Sequence, residues 1–504
     1  GVDQLTLKGF SKTRVRVQED PQNIVAYITN FPIIMEDQSD KKTPSVGIVG
    51  AGLVGALNAC YFAKRGYDVH LFEYRKDIRQ MEHVPGRSIN LALSIRGREA
   101  LRRMGLEEEV VFRHGIPMHS RMIHNKDGTK RQIPYGKKDQ CIYSVGRRFL
   151  NETLLSAAEK YPNVKVHFEH KLLRANLDTG KLQFLVEKAY EKEDTVDLIV
   201  GNDGAFSTIR KEMLKRSRFN YSQYYIPHAY KELCMPPDKD GKFAMEKNFL
   251  HIWPRGQFMM IALPNQDVSW TMTLFMPFDI FESLDTEDKL VTFFEEQFPD
   301  SIPLIGKERL ISDFFKVPHS PLIMVKCFPY HIGTTSLIMG DAAHAMVPFY
   351  GQGMNCGLED CLVLDDIMTK YDNDLVKVLP EFSDFRNPDA EAICDLAMYN
   401  YIEMRDLVNS KFFLLRKYFD NFLNKMFPNT WIPLYTMVTF SRIRYHECIA
   451  KKKWQDKLVD RLVLGTGVCL VTAVAISCRG YFKRITAESF SLLRQNLTNL
   501  ISHV

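Results

Sequence analysis

The sequence contains no Cys-x-x-Cys pair, and its 10 cysteines and 14 histidines are scattered without the spacing of a ligand set. A metal site and a disulfide framework are therefore not expected, and a reducing compartment fits better. No Ser-His-Asp or paired-carboxylate constellation stands out, so no catalytic acid, base or nucleophile is assigned. The net charge of +5 over 504 residues is too small to argue for a nucleic-acid partner. Residues 1–43 lack a long apolar core with a basic flank and a small-residue cleavage site, which gives no expectation of a secretion signal. What is present is 45% hydrophobic and 25% charged, a globular composition long enough for two or three domains.

The stretch from Val46 to Glu73 organises the rest. An apolar strand, Val46-Gly47-Ile48-Val49, runs into Gly50-Ala51-Gly52-Leu53-Val54-Gly55, a helical run follows to Arg65, and Asp68 to Phe72 leads to Glu73. Strand, Gly-x-Gly-x-x-Gly turn, helix, strand and acid in this order form a dinucleotide cradle. Gly50 permits the tight turn, Gly52 lets backbone N–H groups approach a pyrophosphate, and Gly55 lets the helix pack on the sheet. The helix N-terminus favours the phosphates, and Glu73 is placed for a ribose hydroxyl. The cradle alone does not distinguish NAD(P) from FAD.

Ahead of it, residues 1–43 show no periodicity and are expected to be a leader, poorly ordered or added, with Met35 a plausible natural start. Beyond it, Val84 to Ser94 reads as a loop suited to anion or cofactor contact. Met118 to His124 and Arg131 to Tyr135 alternate about Lys126-Asp127-Gly128, a hairpin carrying Arg121 and Tyr135. On pattern alone Arg121 is a solvated charge. Ser144 to Lys160 reads as an amphipathic helix containing Arg147, and a strand from Val196 ends in the turn Asn202-Asp203-Gly204. Residues 215–325, rich in aromatics, methionine and proline, read as consecutive strands without long helices, a mostly antiparallel second domain.

The most specific text is Leu337 to Asp360. A strand delivers Gly340-Asp341, a glycine-rich loop with His344 follows, and a helix begins near Met354-Asn355. A carboxylate can bind a polyol hydroxyl, and helix N-terminal N–H groups can stabilise negative charge on a reduced ring. The ribityl chain and ring of FAD need both, whereas NAD needs neither. His344, inside such a loop, is read as structural.

The cradle, the Asp203 turn and Gly340-Asp341, in this order, resemble the single-component FAD aromatic hydroxylases of the para-hydroxybenzoate hydroxylase type. Gly86 to Ser94, Ile133 to Gly136, Leu250 to Arg255, Met398 to Arg405 and Ile432 to Phe440 resemble the kynurenine-hydroxylating branch, with coverage from about Ser45 to Lys453. The resemblance implies an NADPH- and O2-dependent monooxygenase acting on L-kynurenine through a flavin C4a-hydroperoxide, with NADPH a transient reductant. It implies FAD contacts at Gly50, Gly52, Val54, Gly55, Phe72, Glu73, Tyr74, Arg75, Ala92, Arg147, Leu172, Asp341, Met354 and Asn355. It also implies that Arg121, Tyr135, Asn400 and Tyr435 hold the substrate. A forked guanidinium with phenol and amide donors suits an amino-acid carboxylate. Cys356, where a small residue such as alanine is expected, departs from the pattern. Alternatives are a hydroxylase of a related aromatic acid, or a membrane-tethered flavin-binding protein without turnover.

The expected fold is α/β, a Rossmann-like FAD-binding domain (44–133, 145–214 and 331–366) with an inserted, mostly antiparallel β substrate domain (134–144 and 215–330). A helical cap (367–454) and a C-terminal membrane segment (455–504) follow. Within the last, Leu462 to Cys478 is 17 residues without charge between Lys451-Lys452-Lys453-Trp454 with Arg461 and Arg479 with Lys483. That composition reads as a tail anchor. By resemblance its membrane is the mitochondrial outer membrane, with the enzyme facing the cytosol.

Overall fold

The structure, a computed structural model, describes residues 43–82, 90–136 and 140–501. The expected leader up to residue 42 and the Val84 to Ile89 part of the loop lie outside the described residues.

A six-stranded sheet carries the cradle, in the order His331–Ile332, Ser336–Ile338, Leu198–Gly201, Ser45–Val49, Asp68–Phe72, Val164–His167. All neighbours are parallel except the first pair, an antiparallel edge. The central strands Ser45–Val49, Leu198–Gly201 and Ser336–Ile338 are buried almost throughout and read as apolar runs, whereas Val164–His167 at the edge carries Lys165 and His167. The helices Leu53–Lys64 and Gly353–Lys370 pack against each other beside it. A meander of His170–Asn176, Lys181–Val186 and Tyr190–Thr195, on which the sequence pattern gave no reading, buries Leu182, Phe184 and Val186 in the same core.

The second large sheet has seven strands, in the order Ser320–Phe328, Asn220–Met235, Trp270–Pro277, Met259–Pro264, Phe249–Pro254, Ser120–His124, Lys130–Pro134. Only the contact of Phe249–Pro254 with Ser120–His124 is parallel. The hairpin at 120–134 thus belongs to this sheet, a correction to the boundary that put residues 44–133 with the nucleotide cradle. Its first strand finds open backbone groups on Phe249–Pro254, a pairing that local pattern does not reveal. A second correction concerns helices. Phe278–Ser283, Glu287–Gln297, Ile302–Ile305 and Lys307–Lys316 lie within the run expected to hold strands without long helices. Leu290 with Phe294 and Leu310 with Phe314, each pair four residues apart, pack them onto Trp253, Trp270 and Met272.

The C-terminal part is helical: Leu375–Arg405, Lys411–Met426, Leu434–Phe440 and Tyr445–Ile501. The boundary drawn at 454 falls inside the last helix, which runs unbroken for 57 residues. One stretch of it, Tyr445–Ile476, is long and apolar enough to cross a membrane.

Candidate active site

The three cradle glycines do different things. A Cβ at Gly50, which has a φ of +100°, would lie 2.4 Å from the Asn202 carbonyl oxygen, and one at Gly55 would lie 1.9 Å from that of Gly50. Backbone packing requires both glycines. A Cβ at Gly52 would meet nothing within 4 Å, so the first turn of the 12-residue helix opens on free space, where its N–H groups favour an anion. Glu73, nearly buried, accepts from the backbone N–H groups of Ala51 (3.1 Å) and Arg75 (3.0 Å), so it also holds the turn in shape. Asn151, which the sequence does not single out, donates to the Ala51 carbonyl at 3.0 Å. Phe72 is stacked on Phe184 with ring centres 4.3 Å apart, and Leu172 pairs across the strands with Phe184, so both belong to the buried floor. Tyr74, Arg75 and Arg147 are exposed. Arg147 lies close enough to Glu232 of the seven-stranded sheet to oppose the effect of burial, which pushes that carboxyl up to about 7.

The second loop converges on the same edge. Asp341 is exposed at the start of the short helix Asp341–His344. Val54 is wedged between Gly340 and Gly357, with Cγ2 3.1 and 2.6 Å from where their Cβ atoms would be. The Asn355 amide is fully used: Oδ1 accepts from the Ser94 N–H (2.8 Å), and Nδ2 donates to the carbonyls of Ala92 (2.8 Å) and Gly351 (2.7 Å). It clamps strand Asn90–Leu93 to the N-terminus of Gly353–Lys370, where Met354 is half-buried. An exposed carboxylate and a helix N-terminus that opens on free space are groups that the ribityl chain and pyrophosphate of FAD can use.

His344 faces inward. Its Nε2 lies 2.7 Å from Asp360 Oδ2, which also accepts from the Gly340 N–H at 2.9 Å. Burial works against the imidazolium, and the Asp360 charge overrides it, holding His344 above its ordinary value. The ligand atoms of His344, Cys356 and Asp360 lie within 4.8 Å of one another, a grouping a cation could use. The Arg386 guanidinium already supplies the positive charge, with Nε on Asp360 Oδ1 (2.6 Å) and Nη2 on Cys356 Sγ (3.2 Å). Cys356 is therefore part of a buried polar network. Arg386 lay unassigned in the sequence.

The four expected substrate residues come together although 314 positions separate Arg121 from Tyr435 in the chain. Arg121 is 1% exposed, and its Nη1 donates to Glu403 Oε1 at 2.8 Å. The guanidinium lies over the Tyr435 ring, 4.5 Å from its centre, and Nη2 is 3.5 Å from Asn400 Oδ1. Tyr135 stacks on Tyr435 at 5.2 Å, and Tyr350 stacks on it at 5.6 Å. Asn400 donates to the Phe349 carbonyl at 2.7 Å, and the Phe349 ring meets Phe275 at 5.0 Å. Burial pushes Arg121 towards neutrality, but Glu403 and the two phenols more than reverse that and keep it charged. Burial, with Tyr435 beside it, holds the Tyr135 phenol well above its usual value, a neutral donor.

Among the described residues, Arg121 Nε and the Tyr135 hydroxyl are buried without a hydrogen-bond partner. Leaving such groups unmade costs about 1–3 kcal/mol each. Glu403 and Tyr350 were missed at the sequence level. Glu403 had a signal, since it stands three residues from Asn400 on one helix, Leu375–Arg405, and so shares its face.

A glycine cradle, an Asp341 loop and, on the second sheet, a buried guanidinium ringed by tyrosines are the features of an FAD-dependent monooxygenase. The sequence model of the FAD binding domain family matches residues 43–371. The chain is 56% identical over 459 residues to kynurenine 3-monooxygenase of Anopheles gambiae, covering 89% of this chain and 94% of that one. It is 54% identical over 443 residues to the Sus scrofa enzyme of that name, covering 88% and 94%. It belongs to the kynurenine 3-monooxygenase family. The fold is similar to that of tetrameric 2-methyl-3-hydroxypyridine-5-carboxylic acid oxygenase, with a TM-score of 0.59 at 18% identity over 72% of this chain and 93% of that one.

Proposed function

We propose that this chain hydroxylates L-kynurenine to 3-hydroxykynurenine with bound FAD, consuming NADPH and O2. The observation that carries the reading is the buried pair of Arg121 and Glu403 with unpartnered donors around it. Kynurenine is a zwitterionic amino acid with an aromatic ring. Its carboxylate would take Arg121, Tyr135, Asn400 and Tyr435, and its ammonium would take Glu403, so neither buried charge is left alone. The ring would then lie along Phe275 and Phe349.

The pyrophosphate of FAD would lie at Gly50, Gly52 and Gly55, with Val54, Phe72, Glu73, Tyr74, Arg75 and Leu172 around the adenosine half. Ala92, Arg147, Asp341, Met354 and Asn355 would hold the other half. When bound and reduced by NADPH, FAD supplies the oxygen activation. The protein orients the ring and excludes water. The ring amine of kynurenine already enriches the carbon beside it, so no side-chain base is required, and NADPH binds transiently at the surface. The C-terminal helix tethers the enzyme through Leu462 to Cys478 to the mitochondrial outer membrane, with the catalytic part in the cytosol.

Incubating the chain with FAD, NADPH and kynurenine in air should give a product one oxygen atom heavier, hydroxylated beside the ring amine. NADPH consumption should be slow until kynurenine is added. Bound flavin with no hydroxylated product would overturn the assignment.

A further inference from the structure

Arg96 lies in the first turn of the helix Ile95–Arg103, just beyond Ser94, whose N–H is held by Asn355. It is buried, and its donors reach two elements that the sequence places far away. Nη1 donates to both carboxylate oxygens of Glu359 at 3.1 Å, on the helix Gly353–Lys370. Nε donates to the Val438 carbonyl at 3.0 Å, and Nη2 donates to the Ile443 carbonyl at 2.5 Å. The Tyr445 ring covers the guanidinium, with its centre 3.8 Å from the guanidinium carbon, and the Tyr445 hydroxyl donates to Gln352 Oε1 at 3.0 Å. Ion pair, carbonyls and ring together fix the plane of the guanidinium.

The Val438 carbonyl matters because of the helix it belongs to. Leu434–Phe440 has 7 residues and carries Tyr435 in its first turn. About two turns of helix are not stable by themselves in water, so its shape depends on what holds its ends. The last carbonyls of a helix have no partner inside it. Two of them are met by side chains, Met437 by Ser441 Oγ at 2.6 Å and Val438 by Arg96. A guanidinium at this end also opposes the negative pole of the helix. Val438 follows Tyr435 by less than one turn, so the bond that fixes Val438 fixes the rotation and height of the phenol. The Ile443 carbonyl lies beyond the helix, so Arg96 closes the segment between the two carbonyls and ties it, through Glu359, to the helix that bears Asn355. An ammonium lacks the planar fork that spans a carboxylate and two carbonyls.

We infer that Arg96 is a positioning residue for the substrate site: it caps the helix of Tyr435 and sets where that phenol stands against Arg121 and Tyr135. The inference rests on the reading of Tyr435 as a kynurenine contact. Arg96 acts on the substrate only through Tyr435.

The test is a double-mutant cycle of Arg96→Lys and Tyr435→Leu in the full chain loaded with FAD. It is read as Kd for kynurenine by calorimetry without NADPH, and as KM and kcat from hydroxylated product. Arg96→Lys should raise Kd and KM about tenfold, the worth of one well-made hydrogen bond, with kcat within about twofold of the parent. Tyr435→Leu should raise Kd by a similar factor. Arg96→Lys added to Tyr435→Leu should raise it by less than about twofold more, because the group through which it acts is already gone. A further rise of about tenfold in the double variant would overturn the inference and leave Tyr435 in the site. A parent-like Kd in Arg96→Lys would overturn it too. An unchanged Kd in Tyr435→Leu would remove Tyr435 from the site, and the inference with it. Should Arg96→Lys lose its flavin, the cycle is run with Arg96→Gln and Glu359→Gln together, which removes both charges of the buried pair. Flavin loss from that variant as well would make Arg96 a residue of the fold alone and overturn the inference.

Discussion

Two buried arginines, Arg386 and Arg121, have opposite surroundings. Arg386 is saturated: Asp360 at 2.6 Å, Glu359 at 3.1 Å, the Cys356 carbonyl at 3.0 Å and Asp389 at 3.6 Å. Asp389 is itself held by Arg444 and His446. Among the described residues, Arg121 has a single carboxylate, Glu403, and keeps Nε unpartnered beside an unpartnered phenol. Equal burial therefore separates into a closed network that fixes the loop at Gly340 and an open one whose donors are not all met. Burial alone does not mark a functional charge; unfinished pairing does.

The comparison breaks most visibly at Arg386. Arg386→Leu leaves buried carboxylates facing one another and should cost about 3–5 kcal/mol or more, a large share of a typical 5–15 kcal/mol. Purified variant should lose flavin at a lower temperature, seen as a fall in the midpoint of flavin-fluorescence release. Arg121→Met should behave differently. Its unpaired Glu403 should lower the melting midpoint, by less than Arg386→Leu does because only one carboxylate is left, while the flavin spectrum and flavin retention at 25 °C stay near those of the parent and kcat/KM for kynurenine falls about 10²–10³-fold, the loss of a buried charge-assisted pair. Equal damage to flavin retention in both variants would erase the distinction.

Why one arginine was named from the sequence and the other was not is a matter of range. The nucleotide cradle is local: glycine spacing, a strand on each side and Glu73 all lie within 28 residues, from Val46 to Glu73. Arg121 meets Glu403 across 282 positions, so its strand pattern alone reads as a solvated charge, and only the resemblance raised it. The helices within 278–316 were hidden because their aromatics continue the composition of the strands before them. The break expected near Lys453 fails because no glycine or proline stands between Tyr445 and Leu464 to stop a helix, and charge alone does not stop one. Glu403 stood in plain view three residues from Asn400, yet a lone helical glutamate carries no sign of its partner.

Glu403 sharpens the open site further. Glu403→Gln keeps the shape and removes the negative charge that balances Arg121. With kynurenine, kcat/KM should fall about 10- to 100-fold, the range of a charge-assisted hydrogen bond of about 1.5–3 kcal/mol. With the deaminated analogue, which keeps the carboxylate and lacks the ammonium, variant and parent should be nearly equal. An equal loss on both compounds would mean that Glu403 only positions Arg121.

The smallest effect expected is at Lys417, on the inner side of Lys411–Met426. Burial first, and the Arg121 charge second, bring its ammonium down to about 8, with Glu403 opposing. An unfolded lysine holds its proton up to about 10.4, so between about 8 and 10.4 the unfolded chain binds more protons than the folded one. Stability should therefore rise with pH across that window through this group, and the urea midpoint of Lys417→Met should lack that rise. In the site the sign is reversed. Below about 8 the second cation strengthens the field that draws a carboxylate towards Arg121, and above it that help fades. KM for kynurenine should climb a few-fold through about pH 8 with kcat little changed, an effect of about 1 kcal/mol. Lys417→Met should show the higher KM at all pH values and no break near 8. A break that persists in the variant would place the titration elsewhere and leave the open arginine with Glu403 as its one charged neighbour of consequence.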